Sequence, residues 1–491
     1  MAADQRNGTS ARRIGIIGAG PGGICAAIRL LQAGHTDLVV WERADRVGGT
    51  WHHNTYPGCA CDLPSHLYSF SFERKVDWSR PYAPQHEIQA YLQHCVDAYG
   101  IGPYLRLGTG VSSARWDDAA AAWRVTTDDG RVATVDVLVS AIGLFNELNW
   151  PDIPGLDTFA GTLFHSARWD HGHDLAGERV AVIGSAASAV QFVPEIAKVV
   201  GQLHVFQRSP QWVAPKDDTP FTTEQLEQFR TDPASAQAER DKIWTWVDAA
   251  QTFADPGMRE LARQRGLDNL ALVDDPELRR RLTPDYPFGC KRPLISNEWF
   301  PAFNRANVEL VTEPIEKITP DAIVTGDGRE RTVDTVIAAT GFDTTRFLSV
   351  IDVTGRKGRR IDDAWAEGAR AYLGITVSGF PNLFMLYGPN TNNGSILFQI
   401  ECQVAYFLRQ LKRMDDEGLA SIDVRPEVME EYDAGLQRDL DAVEVWAADA
   451  CHNYYRNTSG RIVTQWPHGM GTYQEWTSRP DPDAYEVTAI R

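Results

Sequence analysis

Arg13–Gly18, reading RIGIIG, is a short apolar run that ends in glycine and opens directly into Gly18-Ala19-Gly20-Pro21-Gly22-Gly23. A buried parallel strand that turns at once into a glycine-rich helix start restricts the fold more than any other feature of the chain. An Ala-rich helical stretch follows to Gly34, Leu38–Trp41 makes a second apolar run, and Glu42 closes it. Each glycine has its own task. Gly18 makes the turn, Gly20 admits a pyrophosphate against the backbone, and Gly23 lets helix pack on strand. The phosphates would face the free N–H groups at the helix start, and Glu42 would accept the ribose hydroxyls. The spacing predicts a dinucleotide-binding βαβ unit.

Gly48–Asp62, GGTWHHNTYPGCACD, bears on which dinucleotide. A second glycine pair followed by Trp51 and a Tyr-Pro-Gly turn is an extension that an ordinary NAD dehydrogenase does not need. Gly49, Thr50 and Trp51 would bring backbone against the larger FAD, with Asp62 pointing into the site. The alternative is an aromatic loop that merely packs on the sheet.

A second unit opens at Arg179–Gly184 (RVAVIG) and continues as Gly184-Ser185-Ala186-Ala187-Ser188-Ala189. Ala186 replaces the middle glycine, so its methyl should crowd a phosphate without abolishing binding; Ser188 and the acceptable third-position Ala189 complete the pattern. After the next apolar run, Leu203–Gln207, the chain carries Arg208 and Ser209 where an NAD-binding unit would carry an acid. A guanidinium there suits a 2′-phosphate, which points to NADPH.

The two units also share an echo. Asp129–Gly143 reads DGRVATVDVLVSAIG and Asp327–Gly341 reads DGRERTVDTVIAATG. One supersecondary unit is used twice. The expected class is α/β with two Rossmann-like domains. Residues 12–150 form the first part of the FAD domain, 151–178 a connector, and 179–342 the NADPH domain. The last carries a helical insertion at about 221–283, a candidate lid. Residues 343–491 resume the FAD domain and add a C-terminal segment. The connector holds Phe159, Gly161, His165, Trp169 and Asp170 as F-x-G-x-x-x-H-x-x-x-W-D. Lys291 and Arg292 sit in a turn-like setting, either as surface charges or as the positive end of a site that handles anions.

At 491 residues the chain exceeds one core. Its net charge of −18 lacks the basic face that nucleic acid would need, and no apolar run approaches a membrane span. The polar start is expected to be a loose tail, and Asn7-Gly8-Thr9 a chance match to a glycosylation acceptor. Seven cysteines, an odd number, argue against a disulfide framework, and Cys59 and Cys61 fit neither a zinc site nor a redox pair. All are read as reduced, in a cytoplasmic protein with no metal. Pro389–Asn393 reads as a polar loop before a helix from Ser395 to Arg413, striped by Ile400, Val404, Phe407, Leu408 and Leu411. A further helix follows Pro426, and the aromatic stretch Tyr454–Trp476 would wall a pocket or cap the fold.

The connector motif and Gly48–Asp62, which fits G-G-x-W-x-x-x-x-Y-P-G-x-x-x-D, together resemble the fingerprints of the type I Baeyer–Villiger monooxygenases, class B flavoproteins. Ala339–Asp343 (ATGFD) and the Lys291-Arg292 pair add to the likeness, and the C-terminal part is closest to the hydroxyacetophenone branch. The resemblance implies an enzyme in which NADPH reduces FAD and the reduced flavin takes up O₂. A flavin peroxide then inserts one oxygen beside a ketone carbonyl to give an ester or lactone. It makes Arg292 the catalytic cation with Asp62 as its orienting partner. Lys291 joins Arg208 on the coenzyme, and Phe159–Asp170 is a hinge rather than a substrate contact. A small ketone and O₂ are the implied partners, with no obligate protein partner. A sulfur or nitrogen oxygenase and an NADPH oxidase-type flavoprotein are the alternatives.

Overall fold

The computed structural model describes residues 12–448, 451 and 453–490. Most of the N-terminal tail, with Asn7-Gly8-Thr9, lies outside them. Two five-stranded parallel sheets form the frame. In the first, the order is Leu383–Met385, Val137–Ser140, Ile14–Ile17, Leu38–Trp41 and Leu105–Arg106. In the second it is Val308–Val311, Gln202–Phe206, Arg179–Ile183, Thr335–Ala338 and Thr162–His165. The inner strands Ile14–Ile17, Val137–Ser140 and Thr335–Ala338 are buried throughout, as parallel strands covered on both faces must be. The α/β expectation with two dinucleotide-type units holds.

The echo proves to be structural. Thr127 Oγ1 and Thr325 Oγ1 each donate to the turn aspartate two residues on, Asp129 and Asp327, at 2.6 Å in both copies. Gly130 and Gly328 take left-handed φ of 82° and 80°, which glycine adopts at no steric cost. The later aspartates also match: Asp136 accepts the Arg13 N–H at 2.7 Å and Asp334 the Arg179 N–H at 2.9 Å. Each copy thus pins the start of its sheet's glycine-terminated strand. The first sheet is completed by Leu383–Met385, far along the chain.

The helical insertion comprises Thr223–Thr231, Pro233–Ala250, Pro256–Leu270 and Pro276–Arg281. Thr222, Asp232, Asp255 and Asp275 cap their starts, satisfying backbone donors that a helix cannot satisfy internally. The insertion is docked rather than free. Arg240 is buried and donates to the carbonyls of His66 and Ser69 in the first unit. The helix Ile396–Asp416, capped by Ser395, buries Ile400, Val404, Phe407 and Leu411 as the stripe predicts, but also Gln399, Gln403 and Gln410.

One expectation needs correction. Cys290 and Cys451, 161 positions apart in the chain, form a disulfide with Cα atoms 5.5 Å apart. The odd count argued against a framework but not against one bond, and the pairing removes the support that seven reduced cysteines gave to a cytoplasmic setting. Cys25, Cys59, Cys61, Cys95 and Cys402 are free and buried. Residues 389–393 form the expected polar loop, and Asn390, Thr391, Asn392 and Asn393 are all buried in it. Their amides are spent on backbone carbonyls of Ile462, Gln465, Gln251 and Trp466 and on the Gln465 side chain, as buried amides require. The aromatic C-terminal stretch does both things proposed for it: Tyr454 lines a cleft, while Trp466 and Tyr473 are fully buried.

Candidate active site

The C-terminal ends of both sheets open on one cleft of about 1990 Å³, where open α/β sheets bind ligands. Every residue assigned above to either nucleotide lines it except Gly23 and Ala189. Those two are buried behind the glycine turns. A Cβ on Gly23 would lie 1.9 Å from the Gly18 carbonyl oxygen, so that position is dictated by packing. Gly18 and Gly184 take φ of 101° and 114°, and a Cβ on either would strike the carbonyl of Ala141 or Ala339 within 2.5 Å.

The first half of the cleft fits FAD. Gly20 faces Gly49 so closely that a Cβ on Gly49 would sit 3.0 Å from the Gly20 Cα. The helix Pro21–Gln32 starts with no side-chain cap, which leaves its first N–H groups for a phosphate. Glu42 does more than its spacing suggests. Its two carboxylate oxygens accept the N–H groups of Ala19 at 2.7 Å and Ala44 at 2.8 Å, so it shapes the glycine turn and keeps lone pairs for hydroxyls. Thr50 begins the short helix Thr50–His53, and Trp51 is buried with its Nε1 donating to the Tyr68 hydroxyl at 2.9 Å.

The second half fits a phosphorylated coenzyme. Ala186 has φ −90° and ψ −160°, close to the −73° and −172° of Gly20, so alanine keeps the turn and adds only a methyl exposed in the cleft. The helix Ala187–Ile196 likewise lacks a side-chain cap. Lys291 Nζ donates to Ser209 Oγ at 2.8 Å and lies 4.3 Å from the Tyr286 ring centre. Burial, and then the nearby Arg208 charge, hold the Lys291 pKa below its ordinary value. Two cations and a hydroxyl converging at one strand end is an arrangement that an anion relieves.

Between the halves, Arg292 Nε donates to Asp62 Oδ2 at 2.8 Å. Burial alone would raise the Asp62 pKa, but the charge and hydrogen bond of Arg292 outweigh it and keep the carboxylate below its usual range. Asp62 in turn raises Arg292 further above its already high value. The pair is ionised at any working pH. Tyr387 stands beside it on the cleft wall, with its hydroxyl donating to Asn392 Oδ1 at 2.6 Å and Asn392 Nδ2 donating to Gln465 Oε1 at 2.7 Å. Its backbone holds φ 58°, fixed by the buried Gln403 side chain accepting its N–H. No motif flagged this chain of polar groups, because its members meet only in the fold.

Of the connector, Pro151, Asp152 and Ile153 border the cleft, but the motif residues Phe159, Gly161, His165, Trp169 and Asp170 do not line it. Thr162–His165 is the edge strand of the second sheet, with His165 opposite Ala338. His165 is buried, its Nδ1 accepts the Ala167 N–H, and Trp150 and Phe342 meet its ring. Trp169 packs on Phe192, which packs on Tyr56. Gln191, one residue earlier, bonds the Ala60 backbone and the Tyr56 hydroxyl. Gly161 leaves no room for a side chain against the Asp334 carbonyl. Phe159 packs on the second unit's apolar cluster, and Asp170 caps Gly172 at the surface.

Comparison with known proteins matches this arrangement. A Baeyer–Villiger monooxygenase of Pseudomonas aeruginosa is 41% identical over 483 residues, covering 97% of this chain and 91% of its own. One from Streptomyces coelicolor is 41% identical over 485 residues, covering 97% and 92%. The chain belongs to the Baeyer–Villiger monooxygenase family. Residues 15–243 also match the family model described as pyridine nucleotide-disulphide oxidoreductase. The solved structure of cyclohexanone monooxygenase from Rhodococcus sp. Phi1 bound to NADP+ superposes with a TM-score of 0.87 at 31% identity, covering 98% of this chain and 99% of that one. OTEMO in complex with FAD and NADP gives 0.87 at 29%, covering 98% and 100%. As a Baeyer–Villiger monooxygenase the chain is an FAD- and NADPH-dependent oxidoreductase. Among its described residues no helix is long and apolar enough to cross a membrane.

Proposed function

We propose that the cleft converts a small ketone to an ester or lactone, inserting one oxygen atom of O₂ beside the carbonyl, with Arg292 as the catalytic cation and Asp62 as its anchor. The observation that carries this reading is the 2.8 Å pair between them, which spans the two halves of the cleft. When bound, FAD supplies the oxygen chemistry and NADPH the hydride. The protein's own part is placement and electrostatics. Arg292 spends Nε on Asp62 and keeps its terminal nitrogens for negative charge that develops on oxygen. A fixed donor in such a site is worth roughly 2.7–4 kcal/mol. Tyr387 and the apolar wall around Ile396 and Ile400 limit the water that would divert oxygen to hydrogen peroxide.

In this assignment Gly18, Gly20, Glu42, Gly49, Thr50 and Trp51 hold FAD, and Gly184, Ser185, Ser188, Arg208, Ser209 and Lys291 hold NADPH. Residues 12–150 and 343–491 serve the flavin half, and 179–342 the coenzyme half. Thr162–His165 ties the connector to the latter, and Trp169 relays to the flavin loop through Phe192 and Tyr56. The test is to follow labelled O₂ into products from a panel of ketones and sulfides.

A further inference from the structure

We propose that the Cys290–Cys451 disulfide is a positioning clamp for Lys291 and Arg292, so that the thiol–disulfide state of this pair sets how firmly the coenzyme and the reacting oxygen are held. The inference rests on the placement of NADPH and Arg292 proposed above. Cys290 immediately precedes the two cations, and Cys451 belongs to the C-terminal segment that supplies Tyr454 to the same cleft. The covalent bond therefore anchors one side of Lys291-Arg292 to the C-terminal wall, while the Asp62 contact anchors the other side to the flavin loop.

Among the described residues, neutral hydrogen bonds and the apolar cluster of Trp212, Tyr286 and Phe288 back the disulfide on that wall. Asn453 Nδ2 donates to the Cys290 carbonyl at 3.0 Å and Trp446 Nε1 to that of Gly289 at 3.1 Å. Gly289 itself turns at φ 92°. With the bond opened, the turn that carries these two long cations loses its covalent tie to that wall, and functional groups lose their setting when their support is loosened. Cys451 is buried but borders the cleft, as Cys59 and Cys61 do, so a small dithiol approaches the bond from that side. The five other cysteines are already free thiols, and burial raises the pKa of each, which slows their exchange.

The step balances as exchange. Dithiothreitol donates two electrons and two protons, giving two protein thiols and its cyclic disulfide; oxidised glutathione reverses this and leaves as two thiols. The experiment takes the FAD-loaded enzyme as purified in air, after dithiothreitol, and after reoxidation with glutathione disulfide. Thiols are counted after unfolding, NADP+ affinity is titrated, and the ester-to-peroxide ratio is read with NADPH and a ketone. Expected are five thiols, then seven, then five. NADP+ affinity should fall about tenfold on reduction, the scale of one lost charge-assisted hydrogen bond, and return on reoxidation. Cys451→Ser should show the weakened affinity throughout and ignore both reagents, which also reads the open state if the bond resists reductant. Seven thiols as purified, or NADP+ affinity unchanged in both the reduced enzyme and the variant, would overturn the clamp. If affinity follows the thiols but no ester forms in either state, the clamp stands and the ketone reading falls.

Discussion

Asp62 and Arg292 lie 230 positions apart in the chain and 2.8 Å apart in the fold, a carboxylate from the loop beside the first glycine turn gripping a guanidinium from beyond the helical insertion. The chemistry proposed for this protein hangs on that contact. Removing one partner of this half-buried pair leaves the other charge without its partner, so the informative substitutions must be read on kinetics as well as stability.

Arg292→Ala should keep FAD reduction by NADPH and lose ester formation by about 10²–10³-fold, the range for one oxyanion donor. Stopped-flow absorbance follows the first and product chromatography the second. Normal ester yield in this variant would remove Arg292 from catalysis.

Ala186→Gly should lower the NADPH KM. The backbone at Ala186 already has the conformation of Gly20, so the methyl is the whole difference, and glycine removes it from the phosphate's approach. An unchanged or higher KM would show that the phosphate passes elsewhere.

Arg208→Ala should raise the NADPH KM about ten- to hundredfold while leaving NADH turnover nearly unchanged. A hydrogen bond to a charged group contributes roughly 1.5–3 kcal/mol, and tenfold corresponds to about 1.4 kcal/mol. Steady-state kinetics with both coenzymes gives the ratio. Equal losses for the two would mean that Arg208 does not meet a 2′-phosphate.

His165 supplies the pH test. Its pKa is pushed down to about 4, first by burial and further by the Arg168 charge, against a Gly341 backbone hydrogen bond that raises it, while the ordinary value is 6.5. Between those values the unfolded chain binds a proton that the folded one does not, so stability rises with pH across the window. The contribution is full above 6.5 and is lost as the pH falls toward 4. Against His165→Gln, which does not titrate, the wild type should lose up to about 3 kcal/mol of relative stability over that range. Urea unfolding of both proteins at several pH values measures it. Parallel curves would mean that His165 is charged or solvated in the fold.

The glycine turns, the paired D-G-R echoes and the identity of both cofactors were legible in sequence because each depends on residues close together along the chain. Gly18, Gly184, Thr127 and Thr325 work through local backbone geometry, and local geometry leaves local patterns. The Gln191 contact with Ala60, the Tyr387–Asn392–Gln465 chain and the Cys290–Cys451 bond join residues from distant segments, and no spacing rule encodes them. The burial of polar residues 389–393 was not legible for a related reason. Polarity predicts exposure only until backbone carbonyls from another segment take the place of water, as those of Ile462 and Trp466 do. Asp62 and Arg292 were reached through a resemblance, not through their own spacing, and only the fold puts one against the other.

The most direct measurement of the central claim is the fate of isotopically labelled O₂ in the FAD-loaded enzyme supplied with NADPH and a mixed panel of ketones and sulfides. The account predicts an ester or lactone carrying one labelled oxygen, with NADPH consumed in proportion and the ketone carbonyl oxygen unlabelled at the outset. NADPH consumption that yields only labelled hydrogen peroxide across the ketones, or label confined to sulfoxides, would contradict it.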